Sequence, residues 1–142
     1  MIVVLKTIHF LSLWAAGGIG AGGWIIQSVH ARKGARPSAE VVQSLRFMGL
    51  LALISVTLLW ISGYALAHAI HGGLPTGLAF HVKLVAAAAI LLASLGTNLE
   101  MLRSMRAATP PRAKVMSTLA WIVRIGLVIV LVSAAITFSG SA

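Results

Sequence analysis

Four long apolar runs, parted by three short polar breaks, organise this chain. The runs extend over about 2–29, 44–70, 78–102 and 116–138. Each exceeds the roughly 20 helical residues needed to cross a hydrocarbon core. In lipid the backbone must satisfy its own hydrogen bonds, and the alternation of a membrane β-strand is absent, so each run predicts a transmembrane helix. The breaks at 30–38 (HARKGARPS), 71–77 (HGGLPTG) and 106–112 (RAATPPR) carry the Gly, Pro and small polar residues of turns. Connections this short force neighbouring helices antiparallel. The expected fold is all-α, an integral-membrane up-down four-helix bundle forming a single domain. The first run is too long for a secretory signal and lacks a clear basic start, so it is expected to be a retained span.

Composition agrees with the pattern. Hydrophobic residues make up 59% of the 142 and charged residues 9%, against about a quarter charged in an ordinary soluble domain. A water-soluble enzyme and a disordered chain are both excluded. The formal charge of +9 comes from eleven Lys and Arg against two acids. Such a balance often marks a nucleic-acid partner, but here the basic residues gather in two breaks between spans, which is a topology signal and argues against nucleic acid. Arg32, Lys33 and Arg36 lie in the first break. Arg103, Arg106, Arg112 and Lys114 lie in or beside the third, and the second has no Lys, Arg, Asp or Glu. Positive charge stays cytoplasmic. Loops one and three are therefore expected inside a bacterial-type inner membrane, with both termini and loop two outside. The absence of cysteine excludes disulfides and thiolate ligation.

That topology turns scattered histidines into a pattern. His9, His68, His71 and His81 all fall toward the outer side, contributed by three helices, and His30 alone falls on the other. At ~1.5 Å per residue, His9 lies roughly 10 Å below the outer boundary, and His68 and His81 about 5 Å. Ionisable groups within a span are expensive and usually functional. Neutral imidazole is the commonest metal ligand, so His9 is the first candidate ligand, with His81 and His68 as candidates for a second. The competing reading makes these interfacial residues bonded to water or headgroups, and it suits His30 and His71 best. Helix-borne histidines near one membrane face are the pattern expected for haem b held between helices. Lys6 shares a helix face with His9 and suits a haem propionate, or snorkels to headgroups. Lys83 lies two residues beyond His81 and points about 200° away from it.

Other polar residues have structural readings. Glu100 should pair with an arginine, Arg46, Arg103 or Arg124, most simply as a clamp between helices. Thr57, Tyr64 and His68 form a polar line on span two. Ser12, Ala16, Gly20, Gly23 and Gln27 continue the His9 face as a small-residue stripe, which serves helix packing, permits a homodimer, or admits a flat cofactor. No hydrolase, phosphate-loop or metalloprotease motif is present.

The stretch Lys6-Thr7-Ile8-His9-Phe10, followed by Trp14-Ala15-Ala16-Gly17-Gly18, resembles the opening helix of the HemJ-type and CopD-type membrane protein families. Val29-His30-Ala31 resembles the end of that helix in HemJ-type proteins, and His81-Val82-Lys83-Leu84 resembles the segment opening their third helix. The resemblance implies a four-helix membrane protein associated with haem b. His9 would be a haem ligand, with His81 and Lys83 in the same functional region. HemJ-type proteins oxidise protoporphyrinogen IX, and CopD-type proteins are associated with copper uptake. The expected function is a haem-b redox protein, with electrons passing to a quinone. The alternatives are a copper-handling protein and a non-catalytic subunit of a membrane complex.

Overall fold

A computed structural model describes residues 1–34, 37–73 and 77–139, with the backbone alone for His71, Ala79 and residues 137–139. Arg36, the Leu74–Thr76 part of the second break and the side chain of His71 lie outside the described residues. Four helices follow in order: α1 Ile2–Lys33, α2 Ala39–His71, α3 Leu78–Arg106 and α4 Ala113–Ser139. All four contain stretches long and apolar enough to cross a membrane, so the chain is an all-α, multi-pass membrane protein.

The helices outrun the apolar segments that announced them. Hydropathy falls where Arg32, Glu40, Arg103 and Lys114 begin, but the backbone stays helical until a capping residue stops it. Gly34 ends α1 at φ 60° and Gly72 ends α2 at φ 68°, the left-handed conformation that glycine enters without a Cβ penalty. Ser38 starts α2, its hydroxyl accepting from the Val41 N–H.

The interior is made of small residues. Ala16, Ala67, Ala86, Ala93 and six serines are buried, alongside Val56, Ile90 and Glu100, while Trp14, Leu92, Val128 and many other large apolar side chains face outward. Lipid tails are as apolar as leucine, so burying large side chains contributes little here. Close backbone approach through small residues contributes more. The clearest instance is Gly126 of α4, where a Cβ would stand 2.6 Å from Ile90 Cγ1 on α3. Ala16, Val56 and Ile90 form the central cluster, and Trp60, Val123 and Leu127 pack on it, so all four helices contribute.

The most extensive packing is α1 on α2 and α3 on α4, with a smaller seam between α2 and α3. Asn98 crosses that seam, its amide donating to the carbonyl of Gly49 at 3.1 Å and to that of Ser94 at 2.9 Å. The Arg124 guanidinium of α4 lies 5.3 Å from the ring centre of Trp24 on α1 and 5.6 Å from that of Trp121. It thereby joins the first and last helices.

Candidate functional site

The histidines divide by what their Nδ1 touches. In His30, His68 and His81, Nδ1 lies 2.9–3.3 Å from the carbonyl four residues earlier on the same helix. A carbonyl only accepts, so these nitrogens carry the proton and donate. His68 and His81 are exposed, and the His68 ring lies against Tyr64 with centroids 4.4 Å apart.

His9 alone among the described histidine side chains reaches a different helix. Its Nδ1 lies 3.0 Å from Ser62 Oγ on α2. The Ser62 hydroxyl has one proton, and it is directed at the Leu58 carbonyl 2.7 Å away. With the hydroxyl donating to that carbonyl, or to the Leu59 carbonyl at 3.3 Å, Ser62 Oγ accepts from His9 in the Nδ1–H tautomer, which leaves the Nε2 lone pair free. The adjacent Gly63 makes room for the ring, since a Cβ there would stand 3.3 Å from His9 Cε1. The Leu59 carbonyl is the other backbone group near the ring, and Lys83 of α3 is close enough for its charge to act on it.

Of the residues singled out in the sequence, Lys83 is the one whose charge acts on His9, without a direct contact between them. Lys83 is half-buried while His81, two positions earlier, is exposed, in keeping with their angular separation. No hydrogen bond or ring contact joins His68 or His81 to His9. Lys6 is exposed and makes no ion pair among the described residues. Among those residues, no three His, Cys, Asp or Glu side chains are placed to hold a metal ion together.

The small-residue stripe on α1 is only partly a contact face. Ser12 and Ala16 are buried, and Gly22 and Gly23 lie against Met48. Cβ atoms on Gly17, Gly18 and Gly20 would meet nothing within 4 Å.

Two residues beside His9 were not marked as site residues in the sequence. Ser62 and Gly63 are an adjacent small pair within the second apolar run, and that pairing is the available signal. One turn before them, Trp60 has its indole N–H buried with no acceptor among the described residues. Trp60 and Gly63 share a helix face. The His9 ring is half-buried, and the Trp60 indole N–H is the buried unsatisfied donor on the same stretch of α2.

At the opposite end Glu100, 5% exposed, is the hub of an ion-paired cluster. It accepts from the Arg112 backbone N–H at 3.0 Å, from Arg112 Nε at 3.0 Å, from a second guanidinium nitrogen of Arg112 at 2.7 Å, and from Arg103 at 3.3 Å. The carboxylate raises the Arg112 guanidinium above its ordinary value, chiefly through the side-chain hydrogen bond. The sequence correctly suggests that Glu100 is ion-paired, with Arg103 among its partners, but the pairing lies within α3 and the adjoining turn instead of clamping two helices together. The main partner, however, is Arg112 of the third loop and neither Arg46 nor Arg124. The α3–α4 turn folds Arg112 back over the end of α3. Arg124 is taken by the two tryptophans.

Comparison with protein-family models, curated proteins and solved structures finds no match for this chain.

Proposed function

We propose that this four-span protein holds haem b through His9 and serves in membrane redox chemistry. The observation that carries the reading is the cross-helix contact of His9 Nδ1 with Ser62 Oγ at 3.0 Å: with the proton on Nδ1, Nε2 is the atom that would ligate a metal. A ligating histidine almost always donates its other ring N–H to a neighbouring acceptor, which fixes its orientation and basicity. Ser62 supplies that acceptor from α2, and Gly63 supplies the space. The unsatisfied Trp60 N–H on the same stretch of α2 suits a group bearing acceptors. These donors are of the chemical type that holds a haem: His9 would ligate its iron, and the Trp60 N–H would meet its acceptors. Lys83 would offer a cation to a propionate, and Lys6 a second one nearer the surface. His81, then His68, carry the same free Nε2 and are the choices for a second ligand.

A bound haem supplies one-electron iron chemistry whose potential is set by axial ligands and burial. Within the bundle His9 would fix the iron, Ser62 would hold the imidazole in register, and the apolar wall would keep water away. The resemblance to HemJ-type proteins extends the reading to oxidation of protoporphyrinogen IX, with a quinone in the bilayer as electron acceptor. The positive-inside rule places the arginine-rich end in the cytoplasm and the His9 end outside.

The test is the absorbance spectrum of protein purified from haem-replete cells. A Soret band that shifts on dithionite is expected. His9→Ala should abolish it, and Ser62→Ala should weaken haem retention by about 10- to 100-fold, the usual cost of losing a ligand's supporting hydrogen bond. Colourless protein, or protein that takes up copper without porphyrin, refutes the proposal. So does a band unaffected by His9→Ala.

A further inference from the structure

At the arginine-rich end, α2 and the α3–α4 turn frame a groove of about 490 Å³ whose lining includes Val42, Arg46, Ser104, Met105 and Pro111. Arg46 enters it from the second turn of α2. Its Nε is shut off from solvent and has no hydrogen-bond partner among the described residues.

Neither acid of the chain neutralises this guanidinium. Glu100 is taken up by Arg112 and Arg103. Glu40 is exposed and makes no ion pair among the described residues. The backbone bordering the groove offers little either. The Ser104 carbonyl accepts from the Thr109 N–H, the Met105 carbonyl accepts from the Ala108 N–H, and the Ser104 hydroxyl is spent on the Thr109 carbonyl. The groove therefore presents a cation whose desolvated Nε has no acceptor among the described residues. A desolvated donor atom without an acceptor is costly, and the half-buried guanidinium that carries it favours an anion beside it.

We propose that this groove seats the phosphate of an anionic lipid headgroup, with Arg46 donating to its oxygens. Arginine is suited to phosphate because its planar fork can donate two parallel hydrogen bonds. The lipid source follows from position. Val42, Met105 and Pro111 give the groove an apolar border at the end of helices long enough to span a bilayer, where acyl chains would meet it. On the same last turn of α3, a neighbouring cavity of about 410 Å³ combines Leu99 and Leu102 with Arg103 and Arg106. Basic pockets between transmembrane helices on one side of a membrane are a known form of headgroup recognition. This inference is independent of what His9 binds.

The full chain, delipidated in detergent, is titrated with phosphatidylglycerol, with phosphatidylcholine and with inorganic phosphate. Native mass spectrometry counts bound lipid, and thermal unfolding reads stabilisation. Phosphatidylglycerol should bind about tenfold or more tightly than phosphatidylcholine, the scale of one charge-assisted interaction. Inorganic phosphate at the same concentration should not stabilise. Arg46→Gln should erase the preference, Arg46→Lys should keep part of it, and Lys114→Gln, with the same change in net charge, should retain it. Lipid-free Arg46→Gln should melt no lower than the parent, because it removes a guanidinium whose buried Nε has no partner among the described residues, so loss of binding cannot be ascribed to misfolding. Equal binding of the two lipids, an unchanged preference in Arg46→Gln, or equal stabilisation by inorganic phosphate would each overturn the proposal.

Discussion

Replacing Gly126 by alanine adds one methyl group where two helices nearly touch. The new Cβ would stand 2.6 Å from Ile90 Cγ1, 3.1 Å from its Cδ1 and 3.4 Å from the Ala86 carbonyl oxygen. The first distance is far inside van der Waals contact, and Cγ1 lies close to the α3 backbone, so α3 and α4 must separate or Ile90 must leave its rotamer. Overpacking of this kind costs about 1–3 kcal/mol. Against it stands the intrinsic gain of alanine over glycine in a helix, up to about 1 kcal/mol. Gly20→Ala isolates that gain, because its Cβ would meet nothing within 4 Å. Gly20→Ala should be neutral or mildly stabilising, and Gly126→Ala should fall about 1–3 kcal/mol below it. Unfolding by SDS titration in mixed micelles, followed by circular dichroism, measures both. Adding Ile90→Ala should relieve the clash, so the double variant should lose less stability than the sum of the two single variants by about 1 kcal/mol or more. Equal shifts for the two glycine variants, or strict additivity with Ile90→Ala, would refute the close-approach argument.

Glu100→Gln keeps the shape of the side chain and removes its charge. It should lower the melting temperature and speed proteolysis of the 106–112 turn, whereas Glu40→Gln, at an exposed site, should do neither. Arg124→Leu and Trp24→Leu should be coupled in a double-mutant cycle by about 0.5–2 kcal/mol, the range of a cation–π contact; a coupling of zero would mean that α1 and α4 are held together by other contacts.

The four spans were legible because hydropathy alone decides whether a segment suits lipid. Helix ends were less so. Gly34, Ser38 and Gly72 set them through capping, which continues the helices through Arg32 and Glu40 where an apolar run has already stopped. His9 was legible as an ionisable residue within a span. Its partner was not, because Ser62 lies 53 positions away and the register between α1 and α2 is not written in either helix alone. Arg112 was missed as the chief partner of Glu100 for a related reason. Depth along a helix can be counted at 1.5 Å per residue, but the path of a turn cannot. The stripe from Ser12 to Gln27 was read as one face. Only part of it meets a neighbour, since small residues fit a contact and also tolerate open space.

The pairing of α1 with α2 and of α3 with α4 bears on biogenesis. Each antiparallel pair completes its main interface by itself, so the translocon can release the first pair before the second has been synthesised. What then remains is to dock two finished halves through the Asn98 seam and the Arg124–Trp24 contact. Both of those links are polar groups at a surface that lipid would otherwise touch. The correct mating of the halves is thus marked by groups that are uncomfortable until they meet.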